Sequence, residues 1–327
     1  MNCIVTGGAG FIGSNLVDKL VKLKHKVIVI DDLSTGRISN LKNVKKKIIF
    51  KKVDISKDLK KYAKLFKGID WVFHLAGKAD IVPSINNPTE YFDTNVKGTI
   101  NLLELLRKNK IKKLIYSASA SCYGIPKTYP TKENSKINFE YPYALTKYLG
   151  EELVLHWHKI YNMPNVSIRF FNVYGQRSRT TGAYGAVFGV FLAQKLAGKP
   201  LTVVGNGKQT RDFVHVNDIV NALVLAAEKG KKGEVYNIGS GVETNVNKIA
   251  KIIGGKKIFI PKRPGEPDRS LAEIKKIKKH LNWKPKIKIE DGVRMLLKQI
   301  NHWEDAPIWT PKKIKNATKI WFKYLKK

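Results

Sequence analysis

A doubly wound parallel α/β sheet with a smaller, discontinuous C-terminal lobe is predicted for this 327-residue chain from three observations. Short apolar runs alternate with helix-length amphipathic stretches, the pattern of βαβ units. A glycine-rich turn stands directly after the first run. After about residue 172 the alternation gives way to loops rich in glycine and arginine. A hydrophobic fraction of 43% over this length is enough for a sizeable buried core.

The runs Cys3–Thr6, Lys26–Ile30, Ile48–Val53, Trp71–Leu75, Lys113–Ser117 and Ser167–Phe171 read as successive strands. Helical patterns fall between them at Ile12–Leu23, Leu59–Phe66, Thr89–Lys108 and Pro142–Tyr161. Val187–Leu196 and Val216–Lys229 are helical patterns in the less regular part. The expected division is a sheet domain of residues 1–168 plus roughly 211–240, with residues 169–210 and 241–327 forming the lobe. The tail Thr310–Lys327 is basic and amphipathic, with Ile314, Ile320, Trp321, Tyr324 and Leu325, and reads as a helix docked on the body.

The net charge of +35 comes mostly from 52 lysines against 9 arginines. No zinc-finger or RNP pattern accompanies it, so it reads as a solvated surface and predicts no dedicated nucleic-acid partner. Six arginines (Arg169, Arg177, Arg179, Arg211, Arg263, Arg269) lie between positions 169 and 269, and a guanidinium fork suits phosphate. The start, Met1-Asn2-Cys3-Ile4-Val5, lacks a signal-peptide pattern, and the apolar runs are too short or too charged for a membrane span. With Cys3 and Cys122 as the only cysteines, no disulfide framework is expected; the cytoplasm is the expected compartment. His156 and His158 stand two apart on a helix and point in different directions, and no metal site is expected.

Gly7-Gly8-Ala9-Gly10-Phe11-Ile12-Gly13 opens the first helix, with glycines at 7, 10 and 13. Gly7 suits a tight turn, a residue without Cβ lets a diphosphate approach, and Gly13 lets the helix sit near the sheet. The helix N-terminus offers N–H groups and a positive dipole end to that diphosphate, the arrangement of a Rossmann dinucleotide site. Asp31-Asp32, 18 residues beyond Gly13, can hold ribose hydroxyls and repel a 2′-phosphate, which favours NAD; Arg37 nearby is the feature that would favour NADP. Asp54-Ile55 follows the third strand, to flank the adenine or cap a helix. Leu75-Ala76-Gly77 places small residues beside the cofactor, and Asn95 lies on the next helix.

Tyr143 and Lys147 stand four apart on one helical face. A free phenol is a poor base at neutral pH, and a neighbouring ammonium together with a positive nicotinamide ring is expected to lower its pKa. The run Ser117-Ala118-Ser119-Ala120-Ser121-Cys122-Tyr123-Gly124, at the end of the fifth strand, supplies hydroxyls to share the proton. Cys122, with no clear activating base nearby, reads as packing.

The glycine turn, the serine loop ending in Tyr-Gly, Pro142-Tyr-Ala-Leu-Thr-Lys147, Arg169-Phe-Phe-Asn-Val-Tyr-Gly175, Thr210-Arg-Asp-Phe-Val-His-Val-Asn-Asp218 and Arg263-Pro-Gly-Glu-Pro-Asp268 together resemble the extended short-chain dehydrogenase/reductase family. Within it, the resemblance is to the branch of UDP-glucose and UDP-N-acetylglucosamine 4-epimerases. It implies that Ser119 is the catalytic serine, that Tyr143 is the base, and that Lys147 orients both the base and the nicotinamide ribose. Ser117 and Phe170 join the implied cofactor set. Asn172, Arg211 and Arg263 are implied on the sugar diphosphate, and Gly182-Ala183-Tyr184-Gly185 with Ala186 and Val187 on the uridine side. Ser84, Ser121 and Thr202 complete the implied substrate set with Ser270, a small residue that leaves room for an N-acetyl group; Arg269 is placed to swing into the same pocket. Dehydratases of the family carry an Asp-Glu pair where this chain has Ala120 and Ser121, so the implied reaction is inversion at C4 of a UDP-sugar through a transient ketone. A homodimer through Thr89–Lys108 and Pro142–Tyr161 is the implied assembly. The tail beyond His302 departs from the family pattern.

Overall fold

The computed structural model describes residues 1–180 and 186–325. Its strands, in chain order, are β1 (Asn2–Thr6), β2 (Lys26–Asp31), β3 (Ile48–Lys52), β4 (Trp71–His74), β5 (Lys113–Ser119), β6 (Asn165–Phe170), β7 (Asn172–Tyr174), β8 (Leu201–Val204), β9 (Thr210–His215), β10 (Val235–Ile238), β11 (Glu243–Asn245) and β12 (Lys257–Ile260). Seven form one sheet, ordered β10-β6-β5-β4-β1-β2-β3, and every pairing in it is parallel. The chain begins at the centre, walks out to β3, then returns to β4 and walks the other way. That reversal opens a crevice at the C-terminal ends of β1 and β4.

Both faces of the sheet are covered, which is why its strands are apolar almost throughout. Cys3, Val5 and Phe73 face the helices Phe11–Lys22 and Val216–Lys229, whose Leu16, Leu20, Ile219 and Leu223 complete that core. Ile4, Val72 and Leu114 face the opposite way, toward Leu102 and Leu106 of helix Gly98–Arg107 and Val154 of helix Pro142–Tyr161. A separate core fills the lobe, with Phe191, Leu201, Val203, Ile249, Val293, Trp303 and Ile314. There β7, β9 and β11 form one small sheet and β8 pairs with β12.

Three elements differ from expectation. β10 joins the main sheet beside β6, although four residues are too few to show a period in the sequence. The stretch expected as one helix over Thr89–Lys108 is Pro88–Phe92, a π-helical turn Asp93–Lys97, and Gly98–Arg107. The wider turn presents Asn95 inward, where it bonds the backbone of Lys78 and the hydroxyl of Thr146. The tail is two short helices, Pro311–Ala317 and Lys319–Leu325, broken at Thr318, whose hydroxyl donates back to the Ile314 carbonyl. Ile314 and Trp321 are buried, while Tyr324 is 60% exposed. Among the described residues, no helix is long and apolar enough to cross a membrane, and no group of three or more metal-ligating side chains gathers.

Candidate active site

The crevice is a cleft of about 910 Å³ running from the glycine turn, past the end of β5, to the arginines of the lobe. Its first wall is shaped by backbone. Gly7 has φ +70° and donates its N–H to Ile30 O at 2.8 Å. A Cβ there would lie 2.6 Å from Ala76 N, and one on Gly13 would lie 2.1 Å from Gly7 O. Asp31 accepts the amides of Ala9 at 2.9 Å and Leu33 at 2.8 Å, which ties the glycine turn to the end of β2. Burial pushes its carboxyl above the ordinary value, while those two amides oppose the rise. Asp32 accepts from the amide and hydroxyl of Ser34, and Asp54 from those of Ser56. Gly7, Gly10, Phe11, Ile12, Gly13, Asp31, Asp32, Asp54, Ile55, Leu75, Ala76, Gly77, Ser117 and Phe170 all line the cleft. Asn95 does not: it is 1% exposed and holds the Gly77–Lys78 corner from behind.

The reactive groups meet at the centre. β5 ends at Ser119, whose hydroxyl lies 2.8 Å from that of Ser121 and accepts the Ser121 amide at 3.2 Å. Helix Pro142–Tyr161 opens on proline, whose fixed φ suits a first turn, and brings Tyr143 to the same part of the cleft as both serines. Lys147, one turn on, is 6% exposed with Nζ 4.5 Å above the Tyr116 ring. One turn further, Glu151 is paired with Arg169 inside the core.

Burial dominates the electrostatics of this pair in the chain alone. Burial pushes Tyr143 above the ordinary phenol value; Ser119 and Ser121 oppose this, and the Asp80 carboxylate adds to it. Burial also pushes Lys147 down to about 7, with Glu151 opposing. For each group burial is the largest cause of the shift, and neither has the other residue among its causes. Cys122 is buried and its thiol is pushed up to about 12, in keeping with packing.

On the lobe side, Glu266 lies between two guanidinium groups, 3.5 Å from Arg211 and 3.2 Å from Arg263. Arg211 also donates to the carbonyls of Thr210 and Pro267. Burial first and the Arg263 charge beside it then lower its pKa, with Glu266 opposing, so the pair carries one positive charge in excess of its acid. Asn172, Ala186, Val187, Thr202 and Ser270 line this part of the cleft, with Thr202 tied to Gln194 through both its amide and its hydroxyl. Gly182-Ala183-Tyr184-Gly185 lie outside the described residues.

The arginine cluster does less phosphate-facing work than its sequence density suggests. Arg169 is a buried strut, bonded to Glu151, the Tyr123 hydroxyl and Glu133 O. Arg177 is paired with Asp18 and Arg179 with Asp80. Arg269, which also lines the cleft, makes a fork with Glu243 at 2.9 and 2.7 Å and covers the Tyr129 ring. Ser84 is also corrected: its side chain is fully buried, donating to Ile81 O at 2.6 Å, because the helix Ile81–Asn86 turns it away from the cleft. Sequence reasoning missed Lys78 with Glu90 and Asp80 as cleft residues, and it named Arg179 and Trp321 without placing Arg179 beside Asp80 or Trp321 in the cleft. Each comes from a segment with no local motif.

A parallel sheet reversing beside a backbone-shaped glycine cradle, with serine, tyrosine and lysine converging at its edge, defines a dinucleotide-dependent enzyme of the short-chain dehydrogenase/reductase kind. The family model described as "NAD dependent epimerase/dehydratase family" matches residues 3–239, and the chain belongs to that family. NAD is its cofactor, and the cradle without Cβ atoms at Gly7 and Gly13, with an acid at the end of β2, fits that group. A putative UDP-glucose 4-epimerase of Methanocaldococcus jannaschii is 39% identical over 302 residues, 90% of this chain and 96% of that one. Among solved structures, the UDP-glucose 4-epimerase of Thermotoga maritima with UDP-glucose is 34% identical, with a TM-score of 0.86 over 92% of this chain and 99% of that one. The UDP-N-acetylglucosamine 4-epimerase of Methanobrevibacter ruminantium, in complex with UDP-N-acetylmuramic acid, is 33% identical, with a TM-score of 0.86 over 93% and 98%. The enzyme is thus aligned with isomerases of the UDP-glucose 4-epimerase type, in a family whose matches also include decarboxylases and dehydratases.

Proposed function

We propose that this enzyme inverts C4 of a UDP-linked hexose through a transient 4-keto sugar. The observation that carries the reading is the convergence of Ser119, Ser121, Tyr143 and Lys147 on one cleft, with Ala120 and Ser121 where a dehydratase needs an acid pair. In this reading NAD supplies the hydride acceptor and donor when bound, with Gly7, Gly10, Phe11, Ile12 and Gly13 at its diphosphate and Asp31 and Asp32 at its adenine ribose. Asp54 and Ile55 flank the adenine, while Leu75, Ala76, Gly77, Ser117 and Phe170 line the nicotinamide half.

Tyr143 takes the proton of the sugar 4-hydroxyl, and Ser119 hydrogen-bonds the same oxygen. The two serines beside Tyr143 oppose the rise that burial imposes on its pKa, and Lys147 adds positive charge when protonated. The ketone turns in the cleft, and Tyr143 returns the proton to the alcohol of opposite hand. Arg211 and Arg263 hold the diphosphate with Asn172, so the sugar can rotate while the nucleotide stays fixed. The small Ser270 side chain leaves space at C2, which extends the substrates to N-acetylhexosamines. Residues 1–168 and roughly 211–240 serve the cofactor in this scheme, and the remainder serves the nucleotide sugar.

The test is product analysis by NMR after incubation with UDP-, dTDP- and GDP-sugars. Interconversion of UDP-glucose and UDP-galactose is expected, and a 4-keto-6-deoxy product would overturn the reaction. Turnover of UDP-glucose without UDP-N-acetylglucosamine would remove the role given to Ser270. We also infer a homodimer, supported by Phe92, Ile160 and Tyr161, which are exposed on the helical layer that includes Pro142–Tyr161. A sedimentation mass near the 37.0 kDa of one chain would refute it.

A further inference from the structure

The tail beyond the family pattern reaches the cleft. Trp321 is 2% exposed, lines the cleft, and donates its indole N–H to Pro264 O at 2.6 Å. The Arg263 guanidinium lies 5.2 Å from the centre of that ring. Leu325, on the same helix, approaches Gly265, and the helix packs on Ile81–Asn86 of the opposite wall. The tail therefore spans both walls of the cleft and touches the loop 263–266 at three successive residues.

We propose that Trp321 is a positioning residue for nucleotide binding: its ring holds the Arg263 guanidinium in the orientation that receives the diphosphate. This rests on the placement of a diphosphate at Arg211 and Arg263 under the proposed function. Glu266, which also lines the cleft, pairs with Arg263 at 3.2 Å and is the alternative partner to a bound anion. The indole face offers a second, apolar support beside the Glu266 pair, one that uses the plane of the guanidinium and not its N–H edge. The N–H bond to Pro264 fixes the ring to the same loop as the arginine, so both move together.

The experiment compares Trp321→Phe with Trp321→Leu, two apolar replacements of similar bulk that differ in offering an aromatic face. Calorimetry of the holoenzyme with UDP and with uridine is the readout. Trp321→Leu should weaken UDP about tenfold, Trp321→Phe by less than about threefold, and neither should change uridine binding by more than about twofold. Equal UDP affinities in the two variants would overturn the proposal, as would a parallel loss of uridine binding, which marks general damage to the cleft. A wild-type enzyme that does not bind UDP would instead defeat the nucleotide-sugar reading itself.

Discussion

On the cofactor side of the cleft, Gly7 donates to Ile30 and Asp31 receives the amides of Ala9 and Leu33, so the wall is backbone held within the first βαβ unit. On the substrate side, Arg211 from β9 and Arg263 and Glu266 from the loop after β12 meet Trp321 from the tail. The first wall tolerates almost no added atom, because a Cβ at Gly13 would meet a carbonyl oxygen at 2.1 Å. The second is made of long side chains with alternative partners, and its shape depends on which charge each one faces. The cofactor thus meets a wall fixed by backbone, and the opposite wall is one whose side chains can change partners.

The contrast can be broken most forcefully at its boundary, where both walls serve one reaction. Tyr143→Phe removes the proton acceptor and should lower kcat by about 10³-fold or more, with NAD still bound, as read by turnover and by the absorbance of the released cofactor. Normal turnover in that variant would overturn the mechanism. On the rigid wall, Gly13→Ala should cost about 3 kcal/mol of stability and abolish NAD retention, measured by denaturant unfolding and cofactor release. A folded, fully loaded variant would show that the wall yields more than its contacts imply.

On the adjustable wall, Arg263→Ala should raise KM for the UDP-sugar by roughly tenfold to a hundredfold while NAD content stays constant. Loss of NAD in that variant would erase the distinction between the walls. The smallest effect expected is a pH term in stability. Lys147 has its folded pKa lowered from 10.5 to about 7, so between these values the unfolded chain binds more protons than the native one. Its contribution should make the wild type more stable as pH rises through that window, with the full penalty present below about pH 7. Thermal unfolding of Lys147→Met against pH should lack that rise; identical curves for both proteins would remove the desolvated lysine from the account.

How much of this was legible depended on whether a feature is local. The glycine turn, Asp31, the Tyr143–Lys147 spacing and the helix over Pro142–Tyr161 are each written within a few turns of chain; the helix has the expected bounds, and these residues line one cleft. Asn95 was placed on the right segment, but the π-helical turn that sends it behind the wall leaves no periodic mark. Ser84 lay near the cleft in sequence order, yet which side of a six-residue helix faces inward is decided by what packs on it.

The sequence by itself determined the fold class, the dinucleotide cradle and the hydroxyl–phenol–ammonium set, because strand period, glycine conformation and helical spacing act over short distances. Only the tertiary structure decided what each charge does. It spent Arg169 on Glu151 and Arg269 on Glu243, left Arg211 and Arg263 sharing Glu266, and laid Trp321 beside them. It also set the Lys147 ammonium near 7 by burying it. Partners far apart in the chain and the loss of solvent around a charge are both products of folding, and neither has a local signature.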